Sequence, residues 1–157
     1  MAQQYSEESR TLMQDFPHRY AVTALAQTEG EVQLESERVP SLMTAPPAEF
    51  GGPGDQWSPE TLLVAAVADC FALSFRAIAR ASKLPWLSLE CAVEGTLDRV
   101  ERVTQFTEIR VRATLRVPSD TDEDKARRVL DKAEQSCLIT NSLKADSHLE
   151  ATVEFVQ

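Results

Sequence analysis

The most constraining feature of this sequence is a long apolar segment with a clear helix start. Residues 60–81 read ETLLVAAVADCFALSFRAIARA, which is apolar on nearly every side of a helix. Ser58 suits the N-cap, Pro59 suits the first helical position and Glu60 favours the positive end of the helix dipole. At the other end, Leu84-Pro85 stops the helix near Ser82. Such a helix must be covered on most sides, by a sheet with other elements or by a second subunit.

The segments around this helix predict strands and one further helix. Three of them alternate apolar and polar residues, which is typical of strands with one wet face. Two weaker strands precede the central helix and are joined by a turn at Glu29-Gly30. In order, the elements are strands 20–26 and 31–37, a Pro- and Gly-rich loop 44–58, the central helix, strands 87–98 and 108–117, a helix 121–137 and a strand 148–156.

This order of elements, β-β-α-β-β-α-β, predicts an α+β fold with antiparallel sheets around a buried central helix. The length of 157 residues is typical of one domain, so we interpret 1–157 as a single domain. Residues 1–17 are polar and predict an N-terminal arm.

Charge and composition exclude several classes of protein. The net charge of −9 gives no general attraction to nucleic acid or to an anionic membrane. Arg110, Arg112 and Arg116 alternate along one strand and are interpreted as a solvated face. The N-terminus lacks the pattern of a signal peptide, and no segment is long and apolar enough to span a membrane. We therefore predict a cytoplasmic protein with neither nucleic-acid nor membrane partners.

The three cysteines are the main chemical candidates. An odd number at wide spacing does not indicate a secreted disulfide framework. Cys70 lies midway along the apolar helix, and Cys137 ends the apolar stripe of the second helix, so both face inward. Spacing alone leaves two alternatives open, inert core cysteines or a redox pair. Cys91 falls on the apolar face of a strand and is interpreted as a small buried hydrophobe.

Glu60 places a carboxylate at the start of the same helix. Ten residues of helix span about 15 Å, so Glu60 cannot touch Cys70 in one straight helix. It could serve that thiol only from a second subunit or through a bridging arginine; otherwise it is a first-turn carboxylate that favours the helix dipole. His18 and His148 have no cysteine or histidine at ligand spacing, so we expect no metal site.

Two segments resemble a known family. SPETLLVAAVADCFALSFRAIA at 58–79 and AEQSCLITNSL at 133–143 are similar to the cysteine-bearing helices of the OsmC/Ohr family, the osmotically induced and organic hydroperoxide resistance proteins. The preceding APPAEFGGPGDQ is similar to the Gly-rich segment that leads into the first of these helices. The resemblance covers roughly residues 19–156.

The resemblance implies an OsmC-like fold in an intertwined homodimer with active sites at the subunit interface. It implies a thiol-dependent peroxidase that reduces organic (alkyl or lipid) hydroperoxides. Cys70 matches the peroxidatic cysteine, Cys137 the resolving cysteine and Glu60 the glutamate that holds a catalytic arginine. The implied reductant is a dithiol such as a lipoylated protein, and no metal, flavin or haem cofactor is implied.

Two departures from the family pattern indicate a divergent OsmC-like subgroup. Thr28 and Glu29 stand about where the hydroperoxide-resistance branch has its catalytic arginine, and Arg19 and Arg38 are the nearest candidates. Leu138 replaces the proline that commonly follows the second cysteine. Two alternatives to a peroxidase therefore remain. One is a non-catalytic protein that binds an apolar small molecule or senses redox state, and the other is a protein with inert cysteines.

Overall fold

The structure, a computed structural model, describes residues 13–157 as two compact units that divide between Trp57 and Ser58. Most of the predicted N-terminal arm, residues 1–12, lies outside the described residues. The interpretation of 1–157 as a single domain stays a prediction.

The first unit contains a three-stranded antiparallel sheet in the order β1-β2-β3. Its strands are β1 (Thr23–Leu25), β2 (Val32–Glu35) and β3 (Leu42–Thr44). The two predicted strands are confirmed, although both are shorter than the alternation suggested. Strand β3 was not predicted, because three residues are too few to show a period.

Backbone hydrogen bonding joins the two ends of the loop that follows β3. Thr44 and Trp57 form a parallel bridge, and the Ala45 N–H donates to the Trp57 carbonyl at 2.9 Å. A 3₁₀ turn, Ala48–Phe50, lies inside it. A Cβ on Gly52 would lie 1.7 Å from the Pro46 carbonyl oxygen, so only glycine fits there. The predicted irregular loop is therefore a compact turn that leads into the long helix.

That helix, α1 (Pro59–Ala81), begins and ends where the sequence predicted. Ser58 is the N-cap, and its Oγ accepts from the Thr61 N–H at 3.1 Å. In return the Ser58 N–H donates to Thr61 Oγ1 at 2.8 Å. This reciprocal pair is a capping box, which satisfies two donors at the helix start.

The second unit contains a three-stranded sheet in the order β4-β5-β6. The strands are β4 (Ser88–Val100), β5 (Val103–Pro118) and β6 (Asp146–Val156). Strands β4 and β5 form an antiparallel hairpin, but β6 pairs parallel to β5. The expectation of wholly antiparallel sheets is therefore wrong here. The chain crosses through helices between β5 and β6, and such a crossover returns it in the same direction.

Two helices make this crossover, α2 (Glu123–Gln135) and α3 (Leu138–Asn141). The predicted helix 121–137 is confirmed as α2, which begins after its N-cap Asp122 and ends two residues earlier than expected. The short helix α3, with Cys137 at its N-cap, was not predicted. Helix α1 packs on β4 and α2 packs on β6, while α1 also contacts α2 and α3. The helices therefore cover the apolar face of the sheet, where the core lies.

Helix α1 is buried along only one stripe within the chain. The buried residues recur every four positions: Val67, Phe71, Phe75 and Ala79. Its other sides are half-buried or exposed, since one small sheet can cover only one face. The expected burial on most sides is therefore not reached within one chain. The expectation that no segment is long and apolar enough to span a membrane is wrong for α1, which meets both criteria. Core helices of soluble proteins meet them too.

The opposite face of the second sheet is charged and wet. Arg112 pairs with Glu150 and Arg116 with Glu154, each at 3.2 Å across the β5–β6 pair. All four side chains are about half exposed. The interpretation of the alternating arginines as a solvated face is confirmed.

Candidate functional site

Cys70 lies on α1 at the margin of its buried stripe. Successive residues turn by about 100° around a helix, so Cys70 sits beside Phe71 but toward the uncovered side that carries Ala66, Leu73 and Ala77. Its thiol is free and half-buried. Cys70 is therefore neither enclosed in the core nor fully exposed to solvent.

Cys137 is almost completely buried, with 1% of its surface exposed. Its N–H donates to the Glu134 carbonyl at 3.2 Å at the end of α2. Its carbonyl accepts from the Asn141 N–H and from Thr140 Oγ1, each at 3.0 Å. These bonds hold the Cys137 backbone at the junction of α2 and α3. Because α3 contacts α1, the fold brings the two cysteine-bearing elements together, and the predicted inward position of Cys137 is confirmed.

Cys91 lies on the helix-facing side of β4, opposite Ala113. Burial, as the larger cause, and the nearby Cys137, as the smaller one, together raise the pKa of the Cys91 thiol to about 11. The packing of Cys91 against the core agrees with its interpretation as a small buried hydrophobe. Its closeness to Cys137 was not predicted. The two residues are far apart in sequence and lie on different kinds of element, so no spacing indicates the contact.

We expect Cys91 to resist alkylation at neutral pH. Its thiolate, the reactive form, is scarce below a pKa of about 11. The alkylation rate of Cys91 should therefore rise about tenfold for each pH unit between pH 7 and pH 10, since each unit below the pKa cuts the thiolate fraction tenfold. Peptide-resolved mass spectrometry with iodoacetamide measures this rate. Full labelling of Cys91 at pH 7 in the folded protein would contradict the prediction.

Glu60 occupies the second position of α1, and its carboxylate is incompletely paired. Oε2 of Glu60 is buried and has no hydrogen-bond partner among residues 13–157. Spacings of four and seven residues place Glu60 in line with Val64 and Val67 on the sheet-facing side. A buried carboxylate oxygen requires a donor, because it has lost its hydration. The Glu60 carboxylate can therefore accept a hydrogen bond from a charged donor. The length of helix between the two residues keeps Glu60 well separated from Cys70 of the same chain.

The two arginines predicted for this site lie in the first unit. Arg19 is exposed. Arg38 is also exposed, has a left-handed backbone with φ of 64°, and makes a 3.5 Å ion pair with Glu37 in solvent. Their roles at Cys70 stay predictions.

The fold agrees with comparisons to known proteins. The family model described as OsmC-like protein matches residues 52–152. The chain belongs to the OsmC-like family. The family resemblance and the α+β, OsmC-like fold expected from the sequence are thereby confirmed.

Similar proteins come from several bacteria. YmaD of Bacillus subtilis strain 168, itself uncharacterized, is 28% identical over 113 residues, which are 69% of this chain and 75% of YmaD. An OsmC-like protein of unknown function from Vibrio cholerae has a TM-score of 0.76 at 16% identity, covering 86% of this chain and 99% of that one. An organic hydroperoxide resistance protein from Elizabethkingia anophelis has a TM-score of 0.72 at 18% identity, covering 91% and 100%.

This OsmC-like chain also has an open apolar cavity in its second unit. The cavity of about 310 Å³ lies between β5 and the segment that joins α3 to β6. Four of its seven lining residues are apolar, and Lys144 supplies a cation. The seven are Val103, Gln105, Phe106, Ser142, Leu143, Lys144 and Ala145. Its volume is at the lower end of the range for small-molecule sites, and it is open to solvent.

Proposed function

We propose that this OsmC-like chain is a thiol-dependent peroxidase that reduces organic hydroperoxides through Cys70. The position of Cys70 carries the proposal. Its sulfur is half-buried at the margin of α1, on an element in contact with the one that begins at buried Cys137. Membership of the family and the name of the Elizabethkingia anophelis protein support the choice of substrate.

The proposed reaction has three steps. The Cys70 thiolate attacks the terminal oxygen of the hydroperoxide, the O–O bond breaks, and the alkoxide leaves as an alcohol after taking up a proton. The resulting Cys70 sulfenic acid condenses with the Cys137 thiol, which forms a disulfide and releases water. A dithiol reductant then restores both thiols by exchange and is itself oxidised to a disulfide. Apolar neighbours on α1 favour alkyl or lipid hydroperoxides over hydrogen peroxide.

A homodimer is part of the proposal. The uncovered apolar surface of a single chain supports a dimer. Leu73 on α1 is 51% exposed, and among the described residues of the first unit only Thr44 and Ala45 are buried. A three-stranded sheet with so little core gains stability from a further apolar surface. A second copy could also bring its Glu60 to Cys70. The proposed setting is the cytoplasm, with a lipoylated protein as the dithiol donor.

Turnover of cumene hydroperoxide tests the proposed function. The purified chain is assayed with dihydrolipoamide, beside Cys70→Ser and Cys91→Ser. We expect turnover in the wild type and in Cys91→Ser, and none in Cys70→Ser. Absence of turnover in the folded and reduced wild type would contradict a peroxidase with this substrate and reductant.

A second candidate function is the binding of an apolar small molecule without turnover. The cavity beside Phe106 and Lys144 favours it, since an apolar lining with one cation suits an amphiphile with an anionic head. Native mass spectrometry of the purified protein with added decanoate would show a bound carboxylate. Binding that Lys144→Ala weakens, in a protein without peroxide turnover, would favour this candidate.

A further inference from the structure

Two contacts show how α1 lies along β4. Near the end of α1, the Phe75 ring meets the ring of Trp86, which just precedes β4, with centroids 5.3 Å apart. Near the start of α1, Val64 Cγ2 lies 3.0 Å from the place of a Cβ on Gly95. A step forward along β4 therefore corresponds to a step back along α1, and the two elements run in opposite directions.

Cys70 and Cys91 lie at the same level of the second unit. Cys70 is midway along α1 between these two contacts, and Cys91 is midway along the chain from Trp86 to Gly95. The side chain of Cys91 is on the helix-facing side of β4, where it packs against the core and pairs with the buried Ala113. Cys91 therefore lies beneath the turn of α1 that carries Cys70.

Cys137 enters the same part of the core from another element. Its side chain is 1% exposed, and α3, the helix that it begins, contacts α1. After burial, Cys137 is the second cause that raises the pKa of the Cys91 thiol. Such an electrostatic effect weakens with distance, so the two sulfurs are neighbours. The fold therefore gives Cys137 a second nearby thiol besides Cys70.

We infer that Cys91 is a second disulfide partner of Cys137 and takes over this cysteine from Cys70 by exchange. Cys91 and Cys137 are both free thiols, which is the state that such a reaction requires. In the exchange, the Cys91 thiolate attacks the Cys137 sulfur of a Cys70–Cys137 disulfide, and Cys70 leaves as a thiolate. One S–S bond breaks as another forms, so no further oxidant is needed. The exchange rests on the proposed function, whereas the Cys91–Cys137 pairing does not.

This exchange makes Cys91 a redox switch that responds to the supply of reductant. The exchange is slow, because the raised pKa of Cys91 makes its thiolate scarce. A plentiful dithiol therefore reduces the Cys70–Cys137 disulfide first, by attack on the half-buried Cys70 sulfur. When the dithiol is exhausted, the disulfide moves into the core. Cys70 is then a thiol without a resolving partner, and the next hydroperoxide stops turnover by leaving it as a sulfenic acid.

Diamide oxidation of Cys70→Ser tests the pairing without any peroxide. Diamide adds to one thiol, and a second thiol displaces it as the hydrazine, which leaves a disulfide. Half-buried Cys91 should take up the reagent first, at about pH 9 where more of this thiol is ionised, and Cys137 should then displace it. Mass spectrometry of unreduced peptides is expected to show Cys91 linked to Cys137. Two unlinked cysteines in the folded protein, or a link that forms only in urea, would overturn the pairing.

The matched control for this experiment combines Cys70→Ser with Cys91→Ala. Each chain then retains only Cys137, so any disulfide in this variant must join two chains. Circular dichroism before and after oxidation shows that both variants are folded when the link forms. A Cys91–Cys137 link within one chain of Cys70→Ser, beside none in the control, would support the pairing.

Consumption of cumene hydroperoxide without reductant tests the switch. The wild type is expected to consume one equivalent quickly and a second slowly, while dimedone labelling of Cys70 rises with the second. Cys91→Ala should stop after one equivalent, because its Cys70–Cys137 disulfide cannot be exchanged. Equal consumption by the two proteins would overturn the switch, even where the diamide result supports the pairing. Absence of any consumption would contradict the proposed function and the switch together, and the diamide result alone would still decide the pairing.

Discussion

Replacing Cys137 with serine is expected to trap the proposed peroxidase as a Cys70 sulfenic acid after one equivalent of hydroperoxide. Without the buried thiol, the Cys70 sulfenic acid has no partner with which to condense, so it persists and reacts with dimedone. The wild type should instead form a Cys70–Cys137 disulfide under the same conditions. Intact-mass measurement after one equivalent of cumene hydroperoxide, without added reductant, distinguishes the two products.

Cys91→Ser is the matched control for this experiment. Cys91 is close to Cys137, but the pKa of the Cys91 thiol is raised to about 11. At neutral pH Cys91 should therefore replace Cys137 in disulfide formation only slowly. Cys91→Ser should therefore form the same disulfide as the wild type. A Cys70–Cys91 disulfide that forms promptly in Cys137→Ser would show that the two buried thiols are interchangeable. If dimedone labelled the wild type as much as Cys137→Ser, Cys137 would not be the resolving cysteine.

The long helix was predictable from the sequence because its signals are local. Ser58 and Pro59 determine where the chain can start a helix, and the apolar run that follows decides its length. The capping box needed one further residue, Thr61, whose hydroxyl takes the place of the more usual glutamate or glutamine. Local hydrogen bonding therefore explains why α1 begins where expected, and Pro85 explains why it ends near Ser82.

The parallel pairing of β6 was not predictable in the same way. Alternation in residues 148–156 identifies a strand and its wet face but not its direction. Direction depends on which strand β6 pairs with, and pairing between distant segments leaves no signal in local alternation. The short helix α3 was missed as well, because Cys137 leaves the helical conformation with a ψ of 102° and only four helical residues follow it.

The positions of single candidate residues could be predicted only in part, and their arrangement could not. Apolar spacing placed Cys137 inward correctly, but Cys70 lies half-buried toward the uncovered side of α1. Helix length separated Glu60 from Cys70. The unpaired Oε2 of Glu60 and the coupling of Cys91 to Cys137 depend on contacts between distant elements. Gly95 carried a signal that could have been used, because a glycine inside a strand often marks close approach of another element. Here that element is α1, since Val64 Cγ2 lies 3.0 Å from the place of a Cβ on Gly95.

Replacing Phe75 with alanine is expected to lower the free energy of unfolding by about 3–5 kcal/mol. Phe75 is fully buried in the stripe of α1 that packs on the second sheet, and its ring contacts the Trp86 ring. Truncation removes this contact and leaves a cavity that the surrounding core cannot fill. Urea unfolding followed by circular dichroism measures the loss.

Leu73→Ala is the control on the same helix, because Leu73 lies on the uncovered side and is 51% exposed. In a single chain this change should cost less than about 0.5 kcal/mol, as is usual for exposed positions. If a second copy covers that side, Leu73→Ala should instead make the Tm fall more steeply on dilution and shift the sedimentation equilibrium toward monomer. A small, concentration-independent effect of Leu73→Ala, beside the large effect of Phe75→Ala, would argue against a dimer through this face of α1.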